Sequence, residues 1–150
     1  MGIVVRRAEL DDIDWLLGQL QDFARFFGTK RTLYPDENYA RVGVTTMVQQ
    51  HLTFVAEDVE RGILLGFIAG YVLPHPFNPA LKLLSEAFWW VDEQFRGSSA
   101  GARLLDAFVQ WGRENVDIIT FGLEHHSPVD DRCLIKRGFH LHERNYLLEV

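Results

Sequence analysis

The sequence predicts an α/β protein of the α+β type, with one mixed, mostly antiparallel sheet of six or seven strands flanked by about four helices. Three observations lead there. β-Branched and aromatic runs alternate with amphipathic stripes in the order βααβββαβαβ. The middle strands follow one another across short turns, which builds hairpins rather than the helical crossovers of a parallel sheet. A length of 150 residues, 47% hydrophobic and 24% charged, fits a single domain over residues 1–150 with one core.

Residues 3–8 form a β-branched run that leads into Asp11, whose carboxylate can cap a following helix, with Asp14 three residues on. From Ile13 the side chains of Leu16, Leu17, Leu20, Phe23, Ala24 and Phe27 recur at three and four, and Gly28 stops the stripe. Residues 29–36 have turn character around Pro35. Residues 37–50 read as a second helix, weakened by Gly43 and the β-branched Val44, Thr45 and Thr46. Residues 52–56 and 63–72 are the strands of a hairpin, with Gly66 and Gly70 as bulge positions. Residues 74–81 (PHPFNPAL) read as a proline-rich loop. Residues 84–91 read as a strand whose consecutive Phe88, Trp89 and Trp90 imply burial on both faces. A helix over 100–115 carries Leu104, Leu105, Phe108 and Trp111 on one side. A strand over 117–123, a short helix over 130–137 ended by Gly138, and one final strand or two over 139–150 complete the chain.

Fifteen Lys and Arg stand against twenty-one Asp and Glu, a formal charge of −6. That balance disfavours a nucleic-acid partner, suits a cationic substrate such as an amine, and also serves solubility. Cys133 is the single cysteine, so no intramolecular disulfide framework can form and a reducing, cytoplasmic setting is expected. The N-terminal MGIVVRRAELDD has no apolar core of signal-peptide length, and glycines and prolines break the longest uncharged stretch, residues 62–80, so no membrane segment is expected. His140 and His142 would share a strand face, yet no cysteine or carboxylate cluster completes a site, and no metal is expected. His125 and His126 are better placed to meet substrate or to act as an alternative base.

Residues 91–105 (VDEQFRGSSAGARLL) run from a strand through a turn of small residues into a helix. The first N–H groups of a helix lack internal partners and its dipole places positive charge there, so a phosphate binds without side-chain cations. No Gly-Lys-Ser/Thr follows, which excludes a Walker loop, and Ser99 and Ala100 stand where the dinucleotide fingerprint needs glycines.

Arg96-Gly97-Ser98-Ser99-Ala100-Gly101 resembles the Arg/Gln-x-x-Gly-x-Gly/Ala signature of the GNAT superfamily of N-acetyltransferases, with Ser99 in place of the first glycine. Residues 91–95 are similar to the family's Val-x-Pro-x-Tyr lead-in and Leu104-Leu105 to its leucine pair. Val5-Arg6-Arg7-Ala8 with Asp11 or Asp12, the stretch 62–70 and Lys136-Arg137-Gly138-Phe139 resemble its opening, third strand and close. EAFWWV at 86–91, Trp111, Glu143 and Tyr146 further resemble a phage and bacterial subgroup of unassigned substrate.

The resemblance implies acetyl-CoA as co-substrate and transfer of its acetyl group to the primary amine of a small molecule or protein, by direct attack in a ternary complex. It also allows a homodimer. It places the diphosphate on Arg96, Gly97, Ser98, Ser99, Gly101 and Ala102, and the pantetheine arm and thioester against the backbone of Trp89 and Val91. Ser127 stands where an asparagine contacts pantetheine, although before Pro128 it also reads as a turn residue. Arg132 and Lys136 are further candidates for CoA phosphates. Glu86 is the candidate general base, and it also reads as a solvent-facing or substrate-orienting carboxylate. Leu134 occupies the place of the family's tyrosine acid, which leaves as substitutes Tyr146, a residue that also reads as strand packing, or water. Leu134 and Ser99 favour an alternative, an acyl-CoA-binding sensor or interaction module with the same fold and little or no turnover. If the backbone at Ser99 needs positive φ, strain of roughly 1 kcal/mol weakens cofactor binding.

Overall fold

The computed structural model describes residues 2–28 and 36–150. Among them, β1 (Ile3–Arg7), β2 (Leu52–Asp58), β3 (Ile63–His75), β4 (Asn78–Val91) and β5 (Ile118–Thr120) form one five-stranded sheet in that order. The first four pair antiparallel and β5 joins β4 in parallel, so the sheet is mixed and mostly antiparallel. The described helices are α1 (Ile13–Phe26), α2 (Glu37–Gln50), α3 (Ala100–Asn115) and α4 (Arg132–Ile135). The turn expected at 29–36 lies, up to residue 35, outside the described residues.

The sheet divides the core in two. On one face the apolar stripes of α1 and α2, including Leu16, Leu17 and Met47, pack on Val55, Phe67 and Trp90. On the other, Leu104, Leu105 and Phe108 of α3 and Leu134 of α4 pack on Leu52, Leu65, Ile68 and Leu84. α2 starts where Asp36 Oδ1 accepts the N–H of Asn38 at 2.8 Å and of Tyr39 at 3.3 Å. α1 is entered differently from the sequence expectation. A 3₁₀ turn over Leu10–Asp12 precedes it, and Asp12 rather than Asp11 is the anchoring carboxylate. Asp12 accepts the N–H of Glu9 at 2.7 Å and both terminal nitrogens of Arg6, at 2.8 and 3.0 Å. Its side chain is only 8% exposed, and a buried carboxylate needs such a charged fork.

Two further expectations change. The proline-rich stretch is not a loop: β3 runs to His75 and β4 begins at Asn78, so only Pro76 and Phe77 make the turn. This ribbon reaches past β2, whose pairing with β3 ends at Gly70, and past β5, which meets β4 only from Leu83. Its outer edges are open, and a proline there removes no ladder bond on that side. The C-terminal residues 139–150 form no strand, so the described count is five rather than six or seven. A strand exists only against a neighbour, and a weak alternating pattern cannot supply one.

The glycines in β3 do mark irregular register. Pairing shifts between Ala56 and Glu57, opposite Gly66 and Leu64, and again between Ala69 and Gly70, opposite Phe88 and Glu86. The extra residue of the second shift is Ala87 of β4. A Cβ on Gly66 would stand 2.6 Å from Trp90 O, so β3 and β4 approach too closely there for any side chain.

Candidate active site

β4 and β5 stay together for three rungs, Leu83 with Ile118, Leu84 with Ile119 and Ser85 with Thr120, and then part. From Glu86 to Val91 the β5-facing edge of β4 has no strand beside it, which opens a cleft lined by unpaired peptide groups. Glu86 is the first residue past the last rung, and the bulge at Ala87 follows at once. Bulges turn the strand and release a backbone group from the ladder.

The backbone N–H of Gly122 faces the Glu86 carboxyl group across the opening and favours its charged form. Burial pushes its acid up to about 8; the Gly122 N–H acts against that rise and the charge of Glu124 adds to it. A carboxyl group so placed changes protonation near neutral pH.

At the other end of the cleft the chain enters α3. Gly97 takes φ +89, in the left-handed region, whereas Ser99 sits at φ −78 and ψ 2. Ser99 is therefore unstrained, and within this turn the residue whose conformation requires glycine is Gly97. Ser98 N–H donates to Phe95 O at 3.2 Å and its Oγ accepts the N–H of Ala100 at 3.3 Å. The first intrahelical bond runs from Arg103 N to Ser99 O at 3.0 Å, which leaves the Gly101 and Ala102 amides of the first turn for a ligand.

Trp89 and Val91 close the α3 side of this passage. The Trp89 indole donates to Gly101 O at 3.1 Å and meets Phe121 edge-on at 5.5 Å, while Val91 packs beside Gly101. Arg96 faces away from the helix start. Its Nε donates to Val91 O at 3.3 Å, and its guanidinium lies 4.5 Å from the Trp90 ring centre and 5.2 Å from that of Phe26. It borders an open groove of about 530 Å³ with Asp22, Arg25, Phe26, Trp90, Asp92 and Glu93, at the end of β4 away from Glu86.

Sequence reasoning missed two groups here. Arg103 lies in the first turn of α3, where the dipole disfavours a cation, and its Nε donates to Ser99 Oγ at 2.9 Å. A basic residue in the first turn is a legible signal for an anion. The other is a buried polar strap. Gln19 of α1 donates to Asp92 Oδ2 at 2.8 Å and accepts from the Trp90 indole at 2.9 Å, and Asp92 Oδ1 receives the N–H of Gln94 at 3.0 Å. It ties the loop entering α3 to the helical layer, and nothing in the local pattern joins residues 19 and 92.

Other sequence candidates are placed less centrally. Ser127 Oγ accepts the N–H of Val129 at 3.2 Å, a turn contact. Arg132 is paired with Asp130 at 2.7 Å, Lys136 is exposed, and Leu134 is buried in the core. Tyr146 is 89% exposed on the C-terminal segment. Burial pushes the Cys133 thiol up, away from a reactive thiolate. His125 and His126 are exposed with their rings 5.3 Å apart. Among the described residues no three His, Cys, Asp or Glu side chains gather as a metal site, and no helix is long and apolar enough to cross a membrane.

A mixed sheet whose fourth and fifth strands part beside a helix start with free amides is the arrangement that the sequence resemblance implies for acetyl-CoA-dependent acetyltransferases. The chain belongs to that group: the model of the Acetyltransferase (GNAT) family matches residues 15–139. No curated relative matches the chain. Solved structures share its fold. One, a predicted acetyltransferase of Clostridium acetobutylicum determined with acetyl-CoA, aligns at TM-score 0.76 and 15% identity over 99% of this chain and 96% of its own. The ribosomal-protein-alanine N-acetyltransferase of Brucella melitensis biovar Abortus 2308 aligns at 0.71 and 20% identity, over 99% of each chain. An aminoglycoside acetyltransferase from an uncultured soil metagenomic sample aligns at 0.65 and 18%, over 98% of this chain and 97% of its own.

Proposed function

We propose that this acetyltransferase moves the acetyl group of acetyl-CoA to a primary amine by direct attack, with Glu86 as the base. The observation that carries the proposal is the Glu86 carboxyl group at the mouth of the β4–β5 cleft, with an acidity near neutral. The steps from Glu86 to Val91 span roughly 16 Å of strand. An extended pantetheine arm covers such a distance between a diphosphate on the α3 amides and a thioester near Ala87.

In this arrangement the amides of Gly97, Ser99, Gly101 and Ala102 and the hydroxyl of Ser98 hold the diphosphate, assisted by Arg103. Arg96 joins them by leaving the Trp90 ring. The β4 edge at Trp89 and Val91 bonds the pantetheine. A backbone N–H released at the bulge faces the thioester oxygen and stabilises the negative charge that forms on it as the amine attacks. Glu86, as carboxylate, takes the proton the ammonium must lose before attack. As the C–S bond breaks, the CoA thiolate takes a proton from Tyr146 or from water, and the attacking nitrogen, cationic once bonded to the acyl carbon, gives up its second proton and restores that donor. Ser127 is assigned the pantetheine contact by its place in the chain and keeps its turn bond as well.

Acetyl-CoA titration by calorimetry, followed by thiol release with a panel of amines, tests the proposal. Micromolar binding with amine-dependent CoA release is expected. Absence of binding refutes the cofactor assignment. Binding without release above hydrolysis refutes the enzyme reading and leaves a sensor.

A further inference from the structure

We propose that the groove beside Trp90 is a binding site for an organic cation, a guanidinium or alkylammonium group, and that the Arg96 side chain occupies it as an internal ligand until acetyl-CoA is bound. The aromatic platform is fixed in advance. The Trp90 ring is braced by those of Phe23, Phe26 and Phe27, with centres 5.7, 5.7 and 6.1 Å away, and its indole N–H is held by Gln19 at 2.9 Å. The Arg96 guanidinium lies 4.5 Å from the Trp90 ring centre and 5.2 Å from that of Phe26. Two aromatic rings set around one cation form the kind of cage that holds organic cations.

The surrounding charge favours the same guest. Asp22, Asp92 and Glu93 border the groove with Arg25 and Arg96. Asp22 pairs with Arg25 at 3.1 Å, and Asp92 is engaged by the uncharged Gln19 side chain and Gln94 N–H. When Arg96 leaves, three carboxylates face a single guanidinium across the opening. Arg96 is also lightly held. Among the described residues its side chain forms no ion pair and donates only to Val91 O, at 3.3 Å.

The guest is not the reacting amine. Trp90 stands roughly 13 Å of strand beyond Glu86. It packs with the α1 and α2 layer, whereas its neighbours Trp89 and Val91 pack on the α3 side. The exchange of occupants rests on the proposed function, in which Arg96 leaves the Trp90 ring for the diphosphate. Cation and cofactor then strengthen each other's binding, because each favours the state in which Arg96 is away from the ring.

The test follows the Trp90 indole N–H by NMR while methylguanidinium is added, with neutral methylurea as the control. Arg96→Ala without cofactor should bind methylguanidinium saturably, in the millimolar range, and ignore methylurea. Wild type without cofactor should bind roughly tenfold more weakly, and CoA should bring it close to the variant. Phe26→Leu in the R96A background, at a position 47% exposed, should weaken binding; the loss should be roughly threefold or more. No saturable binding by R96A, equal affinities of R96A and wild type without cofactor, or methylurea binding as well as methylguanidinium would each overturn the proposal. The cofactor reading fails separately: if CoA itself does not bind, that reading is refuted, and the R96A titration still decides the site. CoA that binds but leaves the methylguanidinium affinity of the wild type unchanged overturns the exchange. Turnover distinguishes the sources of the cation. Competition with a long diamine but not with butylamine places the far end of the acceptor in the groove, and competition with neither marks a separate cation. Competition with both puts methylguanidinium at the reacting centre and overturns the site.

Discussion

Glu86→Gln separates proton chemistry from geometry. Glutamine keeps an acceptor for the Gly122 N–H and nearly the same volume, but it cannot take a proton. With its acidity pushed up to about 8, Glu86 is about one-tenth ionised at pH 7 and mostly ionised at pH 9. A positioned general base contributes about 10²–10⁴ in rate. The ratio of wild-type to variant kcat/KM for one amine should therefore climb roughly tenfold between pH 7 and 9. Taking the ratio removes the amine's own titration. The same pair tests stability. A carboxyl whose folded pKa is raised holds its proton longer when folded, so its contribution is full below about 4.5 and is lost as pH rises towards 8. At about 1.4 kcal/mol per unit, the rise from 4.5 to about 8 costs the wild type at most about 5 kcal/mol. The variant has no such loss, and its thermal advantage should widen up to pH 8 and then level. Steady-state kinetics and calorimetric melts read the two effects. A pH-independent ratio, a loss below threefold, or a defect confined to the KM of acetyl-CoA would refute the assignment of Glu86 as base.

Four further outcomes follow from the geometry. Gly97→Ala forces a side chain onto φ +89, and the strain of about 1–3 kcal/mol should lower the melting temperature measurably and, as the turn relaxes away from that conformation, lower acetyl-CoA affinity by fivefold or more in calorimetry. Gly66→Ala sets a Cβ 2.6 Å from Trp90 O and should destabilise by about 1–3 kcal/mol in urea unfolding. Asp12→Ala strips the Arg6 fork and should cost about 3 kcal/mol at pH 7. Burial raises the Asp12 pKa but the Arg6 bonds more than offset it, so it is lowered; the contribution stands above the ordinary carboxylate range and fades as pH falls below it, and melts of variant and wild type should draw together there. Gln19→Leu leaves the Trp90 indole and Asp92 unpaired, and should cost about 1–3 kcal/mol in urea unfolding and weaken acetyl-CoA binding through the loop that enters α3.

Much of the fold was legible because it is periodic. The stripe from Ile13 to Phe27, the helix over 100–115 and the β-branched runs of β1 to β3 each declare themselves within a few neighbours. So does the turn of small residues before α3, to which the diphosphate is assigned in the proposal, since small residues before a helix act through their own backbone. Glu86 was a candidate from its place in the motif alone. Its raised pKa comes from burial and the charge of Glu124, set against the Gly122 amide, and both of these groups lie more than thirty residues away in the chain.

The residues that differed from expectation are those whose state depends on a distant partner. Pro74 and Pro79 look like loop formers, yet they sit in a ribbon whose outer edges need no ladder bonds. Ser99 seemed a defect in the signature until Gly97 proved to carry the positive φ. Asp12, not Asp11, became the anchor because Arg6 and Glu9 converge on it. The run 139–150 carries strand-forming residues, but its sequence does not say which edge they meet. The sequence by itself determined the helices, the hairpin order and the turn of small residues before α3, all of which are local consequences of spacing. Tertiary structure alone decided the cleft, the acidity of Glu86 and the exposed C-terminus, because each depends on which strands part and which remain unpaired.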